Sequence, residues 1–368
     1  MMSDYPYWMA LAHLPKWRME RINGLIVEIL HDKKISFSEF FELNPPELQK
    51  EFRLNIKESE DLENAKTELP NYSFLAESLL QQGFDLITIN SEEYSNTLKQ
   101  NLNLKYSPPL LYIKGNKQLL HEYTVAIVGS RNASDVSLEF TKTIAKNCAD
   151  NHEVVVSGFA KGVDKTALDE TLKVHGQSII VLPQGIMTFS TGFKKYYTQI
   201  VEGSVLVLST YHPKVPWSVG LAMTRNAYIY GLAEKIFVAE TDSTGGTWYG
   251  VIDGLRKGRT IYVRKPGAFG DEKNANELLI LKGAVPIDMN GEPIKDESKI
   301  DLEQQLKIIL ASKPLTAIQI KNRLQLDIDT RQLSQSLSDM DFIVSEKTKN
   351  KVIFRLKNEE QSQSSLFE

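Results

Sequence analysis

The chain has 368 residues, of which 42% are hydrophobic, with 43 Lys and Arg against 47 Asp and Glu for a formal charge of −4. That length and apolar content can bury more than one core, and the charge balance excludes a uniformly basic nucleic-acid coat while leaving a local basic groove open. Cys148 is the only cysteine, which excludes an intramolecular disulfide and a cysteine zinc site and points to a reducing cytoplasm.

Residues 1–21 carry no basic segment followed by an apolar core, and no stretch approaches the ~18 uninterrupted apolar residues of a spanning helix. The expectation is a protein neither exported nor membrane-spanning. Trp8, Leu11, Leu14, Ile22, Leu25, Ile26, Ile29 and Leu30 recur at threes and fours, with Pro45 and Pro46 interrupting. Residues 5–56 therefore read as short helices, and 1–70 as a small helical domain of the SAM or helix-hairpin-helix kind. Charge without apolar period over 57–70 suits an exposed linker or a solvated helix, and we read it as a linker.

From 71 to 290 short β-branched runs alternate with helix-length amphipathic segments, the pattern of a mainly parallel sheet wound with crossover helices. The runs are Leu86–Ile89, Leu110–Ile113, Thr124–Val128, Val154–Val156, Ser178–Leu182, Val205–Leu208, Lys235–Ala239 and Thr260–Val263. Segments 135–150, 163–175, 192–202, 218–232 and 246–257 are long enough to return the chain to the next parallel strand. The fold class is α/β, a Rossmann-like domain. Polar residues 290–301 read as a second linker. Residues 301–357 run helix (Leu302–Leu310), helix (Thr316–Leu324), helix (Asp329–Met340) and two strands (Phe342–Ser345, Val352–Leu356), the order of a winged helix. The tail 358–368 is too polar to pack and is expected to be disordered.

Open parallel sheets bind ligands at the carboxyl edge of their strands. Four stretches there are unusual: Gly129, Ser130 and Arg131; Ser157 and Gly158 through Lys161, Gly162 and Asp164; Thr224, Arg225 and Asn226; and Asp242 through Gly245, Gly246 and Thr247. Glycines let main-chain N–H groups approach a ligand, helix starts attract anions, and Arg131, Lys161 and Arg225 add full positive charge. Together they suit a phosphate shelf. No G-x-x-x-x-G-K-[ST] and no strand-following G-x-G-x-x-G occurs, which disfavours ATP and dinucleotides. Six scattered histidines show no metal-ligand spacing, so neither a metal nor a cofactor is expected. Cys148 reads as packing, and Asp164 and Asp242 as capping carboxylates rather than bases. Phe159, Phe189, Phe193, Trp217 and Trp248 lie near the edge as candidate stacking faces for bases.

The ordered blocks VAIVGSR (125–131), VVSGFAKGVDKTALDETLKVHGQSIIVLPQGI (155–186), TRNAYIYGLAEKIFVAET (224–241) and NELLILKGAVPI (276–287) resemble the DprA/Smf family of DNA-processing proteins. So does the lead-in over 83–120. The resemblance implies a non-enzymatic mediator that binds single-stranded DNA, protects it in transformation or recombination and loads the RecA recombinase, acting as a homodimer. It also implies that Arg131 and Lys161 contact strand phosphates and that Arg225 and Asn226 bind or shape the site. The chain departs from the family pattern at Leu168, where histidine is usual, at Ala227, where arginine is usual, and at Gly245-Gly246-Thr247-Trp248. Those departures keep open a different class, a sensor that holds a small phosphorylated nucleotide in the same loops. A nucleotide N-glycosidase of related fold would need a glutamate that the Gly245–Gly250 string lacks.

Overall fold

The computed structural model describes residues 4–267, 275–294, 297–324, 326, 328–348 and 351–357. The chain begins with a run of short helices, among them Tyr5–Ala12, Met19–Val27, Phe37–Glu42 and Pro45–Glu51, whose apolar faces bury Trp8, Leu11, Leu25 and Phe40. Their starts are set locally. Ser36, Asn44 and Asn55 each accept from the N–H three residues on, and Glu39, Glu47 and Glu58 bond back to the cap. These are reciprocal capping boxes, each cap worth ~1 kcal/mol.

The third box corrects the linker reading of 57–70, since residues Ile56–Thr67 and Leu69–Gln81 are helical. Two of the carboxylates there, Glu58 and Asp61, are partnered rather than solvated. Asp61, almost fully buried, receives Lys57 at 2.8 Å and the Trp17 indole N–H at 3.1 Å, while Arg21 donates to Glu58 at 2.8 Å.

Nine strands form the main sheet: β1 (Asp85–Thr88), β2 (Leu110–Gly115), β3 (Thr124–Val128), β4 (Val154–Ser157), β5 (Ser178–Val181), β6 (Val205–Ser209), β7 (Lys235–Val238), β8 (Ile261–Arg264) and β9 (Val285–Ile287). Their spatial order is β1-β2-β6-β5-β4-β3-β7-β8-β9. All pairs from β6 to β9 are parallel, whereas β1 and β2 run antiparallel to their neighbours. This is the expected α/β, Rossmann-like class. Every residue of β3, β4, β5 and β6 is buried, as befits strands covered on both faces by helices. Helices Asp135–Asp150, Val163–Lys173, Val219–Leu232 and Gly246–Arg256 make those crossovers. The expected helix at 192–202 is two pieces, Ser190–Lys195 and Tyr197–Val201. Tyr196 stands between them with its ring buried and its hydroxyl donating to Asp169 at 2.7 Å.

The helical run docks on β2 through His13, whose Nε2 lies 2.8 Å from the Tyr112 hydroxyl. Burial pushes the His13 imidazole down to about 3, with His212 adding to the shift.

The second expected linker is likewise partly helical, because Glu297–Ser312 begins inside it. Helices Ala317–Leu324 and Thr330–Ser338 follow, with a small antiparallel sheet of β10 (Leu315–Thr316), β12 (Lys351–Leu356) and β11 (Ile343–Thr348) in that spatial order. Leu306, Leu310, Ile320, Leu333, Leu337 and Phe354 close a core separate from that of the main sheet. The tail expected to be disordered lies outside the described residues. Among those that are described, no helix is long and apolar enough to cross a membrane.

Candidate functional site

After β3 the chain winds one way through β4, β5 and β6, and it then returns with β7 to the other flank of β3. Crossovers diverge at that reversal, so the ends of β3 and β7 open a crevice where α/β sheets hold ligands. A cavity of about 360 Å³ lies there. Its lining includes Gly129, Ser130, Arg131, Ala160, Asp164, Arg225, Asn226, Gly245, Gly246 and Thr247, so all four anticipated stretches converge on one space.

Two helix starts differ in how their N–H groups are met. Ser134 caps Asp135–Asp150 with its own hydroxyl, which also donates to Glu240 at 2.6 Å. Gly245, at φ +95°, offers no side-chain cap to Gly246–Arg256. That uncapped start faces the crevice and supplies the positive end of a helix dipole. Thr247 fixes its position by donating to the Gly129 carbonyl at 3.1 Å.

Arg225 sits on Val219–Leu232 and is only 2% exposed, yet its Nε and Nη1 have no hydrogen-bond partner. Its ion partner, Asp164, stands 3.8 Å from Nη1, beyond hydrogen-bond range. Burial lowers the guanidinium's pKa and Asp164 raises it again. Burial likewise raises the Asp164 carboxyl, against the pull of Arg225 and of N–H bonds from Gly158 and Ala160. Asp164 therefore clamps its own loop, the capping role expected for it. A buried cation with unmade bonds, lining a cavity, is the kind of group that receives an anion.

The rest of the second stretch is framework. The Ser157 hydroxyl is spent on the Asp164 carbonyl at 2.7 Å. Gly158 lies beneath Arg225: a Cβ there would fall 1.4 Å from Nη1, so only glycine lets the guanidinium reach the crevice. Gly162, at φ +77°, packs where a Cβ would meet the Ser130 carbonyl at 2.3 Å, which sets the Arg131 and Lys161 loops side by side. Arg131 is exposed and lines the cavity, whereas Lys161 is exposed on the adjacent loop and does not.

Some expected stacking faces are closed. Phe159, Phe189 and Phe193 pack edge to face, with centroids 5.1 and 5.4 Å apart, and Trp248 packs partly buried against the core. Trp217 is 49% exposed. Buried Arg264 and Asn276 were not anticipated, and they hold the end of β7: Arg264 Nε donates to the Ala239 carbonyl at 3.0 Å and Asn276 Nδ2 does so at 3.0 Å. The only sequence sign of either was Asn276 at the head of the closing NELLILKGAVPI block. Cys148 is buried against the sheet, and burial pushes its thiol up, as suits packing.

The profile of the DNA recombination-mediator protein A family matches residues 85–297. The chain belongs to that family. The match covers the whole main sheet, including every strand that bounds the crevice. Among curated relatives, DNA processing protein DprA of Streptococcus pneumoniae (strain ATCC BAA-255 / R6) is 32% identical over 178 residues, 48% of this chain and 63% of the relative. DprA of Bacillus subtilis (strain 168) is 25% identical over 282 residues, 75% of this chain and 92% of the relative. The match thus spans somewhat under two thirds of the pneumococcal protein's length. The X-ray structure of DNA processing protein A from S. pneumoniae superposes with a TM-score of 0.60 at 24% identity, covering 77% of this chain and 94% of that one. That likeness shows the same fold in both.

Proposed function

We propose that this chain is a non-enzymatic mediator of DNA recombination that binds single-stranded DNA by seating strand phosphates in the crevice between β3 and β7. The observation that carries this reading is the buried Arg225 guanidinium, whose Nε and Nη1 make no hydrogen bond, flanked by Arg131 and by the uncapped start of Gly246–Arg256. Sequence-independent strand binding needs a cationic groove along the backbone, and Lys161 on the neighbouring loop extends this one. Membership of the recombination-mediator family supports the same role. A passive role fits Asp164, whose carboxylate is engaged by two main-chain N–H groups and Arg225. The family resemblance extends the proposal to delivery of the strand to RecA, to a homodimer and to action in the cytoplasm. The chain is further proposed to divide into a helical unit that runs through Leu69–Gln81, the sheet domain that follows it and a winged-helix module that starts with Glu297–Ser312.

A competing reading keeps the crevice for a small phosphorylated nucleotide, since Arg131, Arg225 and the uncapped helix start at Gly245 line one cavity of about 360 Å³. Fluorescence anisotropy with labelled single-stranded and duplex oligonucleotides of equal length, beside calorimetry with nucleoside monophosphates, separates the two. Tighter binding of the single strand is expected. Micromolar binding of one mononucleotide with no uptake of the strand would establish the sensor instead.

A further inference from the structure

The small sheet of the last module is covered on one face only. Its helices close over Ile343 and Phe354, which are buried with Leu306, Leu333 and Leu337. The register sets Ile343 opposite Leu356, Ser345 opposite Phe354 and Lys347 opposite Val352 on that side. Lys351, Ile353 and Arg355 of β12 therefore turn the other way, and Lys357 continues their row, its N–H donating to the Phe342 carbonyl at 2.9 Å. Three of these four outward positions are cations, and successive positions stand about 7 Å apart along the strand.

Residues 346–357 hold five Lys and Arg against one Glu, and Arg355 already meets that Glu346 at 2.6 Å. Lys347, Lys351 and Lys357 are exposed and make no ion pair among the described residues. Lysines often guard edge strands against stray pairing, but β12 is the middle strand, bonded on both sides. The helix that enters a groove in modules of this kind carries the opposite charge here. Thr330–Ser338 starts on Asp329, whose carboxylate accepts from the N–H groups of Arg331 and Gln332. Over 329–341 three carboxylates stand against one arginine, and Asp339 is held by Lys282 of the sheet domain at 3.1 Å. A polyanion is repelled by that helix and attracted by the hairpin.

We propose that this module binds the backbone of duplex nucleic acid on the outer face of the β11–β12 hairpin, through Lys347, Lys351 and Lys357, with Thr330–Ser338 held away from the grooves. The proposal goes beyond the crevice and does not depend on it. A duplex suits the face better than a single strand does. None of the outward residues is aromatic, so an unpaired base finds nothing to stack on, and a duplex carries twice the charge of one strand along its axis. Contacts to phosphate alone make the binding indifferent to sequence.

The test combines Lys347→Ala, Lys351→Ala and Lys357→Ala in the full chain, with anisotropy read on a labelled duplex and on an oligothymidylate across a salt series. The triple variant should lose about tenfold or more in duplex affinity at low salt and flatten the slope of log affinity against log salt by ~0.9 for each phosphate released. Its oligothymidylate affinity should match wild type. Lys347→Arg, Lys351→Arg and Lys357→Arg together should keep duplex binding, as should Arg331→Ala on the helix. An unchanged duplex affinity and slope in the alanine variant would overturn the proposal. So would a larger loss from Arg331→Ala, an equal loss on the oligothymidylate, or a wild-type protein that takes up no duplex.

Discussion

Replacing Arg225 and Asp164 together, as Arg225→Met with Asp164→Asn, should make the free protein more stable while it loses its ligand. In the free protein the Arg225 Nε and Nη1 are buried with no partner, and each unmade bond of this kind costs ~1–3 kcal/mol. The 3.8 Å separation from Asp164 offsets only part of that cost, and exchanging such buried pairs for neutral groups of similar volume is typically neutral or stabilising by ~1–4 kcal/mol. Arg225→Met alone should be less stable than the double variant, because it leaves a buried carboxylate held only by the Gly158 and Ala160 N–H groups. A charge-assisted phosphate contact is worth ~1.5–3 kcal/mol, so strand affinity should fall about 10- to 150-fold in both. Urea unfolding followed by tryptophan fluorescence, paired with anisotropy on an oligothymidylate, reads both effects. A double variant that unfolds at lower urea with an unchanged m-value, or that binds the strand as wild type does, would refute the claim that Arg225 is held for an external anion.

Gly158→Ala places a Cβ 1.4 Å from Arg225 Nη1 and 2.4 Å from Asp164 Oδ2, so the guanidinium must move. The expected cost is ~1–3 kcal/mol of stability with a loss of strand affinity close to that of Arg225→Met. A double-mutant cycle with Arg225→Ala should show coupling of more than ~1 kcal/mol in stability, and additive effects would contradict the contact. Stability should also depend on pH through His13, half-buried against Tyr112 and held neutral down to about 3. The unfolded chain takes up that proton near 6.5, so it binds more protons than the native state across the window between. Stability therefore falls as pH drops through this range, by ~2 kcal/mol at about pH 5. His13→Gln should flatten the slope in urea titrations at a series of pH values, and an unaltered slope would show that His13 does not set it.

The α/β class was legible because the interior strands are runs such as Thr124–Val128 and Val205–Ser209, apolar on both faces and separated by helices of crossover length. β9 was not, being three residues with Pro286 in the middle. The helix over Ile56–Thr67 was missed because its charges look solvated until Trp17 and Arg21, distant in sequence, are brought beside them. Local capping in Asn55-Ile56-Lys57-Glu58 carried the signal that was overlooked. At the crevice the glycines and Arg131 could be read from strand ends alone. The burial of Arg225 could not, since an arginine inside a helix reads as exposed. It depends on the absence of a side chain at Gly158, which follows β4 and is two crossovers away in the chain. The aromatic residues misled for the converse reason. Phe159, Phe189 and Phe193 sit at the edge in sequence but satisfy one another in space.

The central claim is that Arg131, Lys161 and the crevice between β3 and β7 form one phosphate-binding track. The most direct measurement is the salt dependence of oligothymidylate affinity for wild type, Arg131→Ala and Lys161→Ala. Each variant should bind more weakly, to a similar degree on unrelated sequences, and should flatten the slope of log affinity against log salt by ~0.7 for each phosphate it no longer neutralises. Unchanged affinity and unchanged slope in both variants would contradict the account.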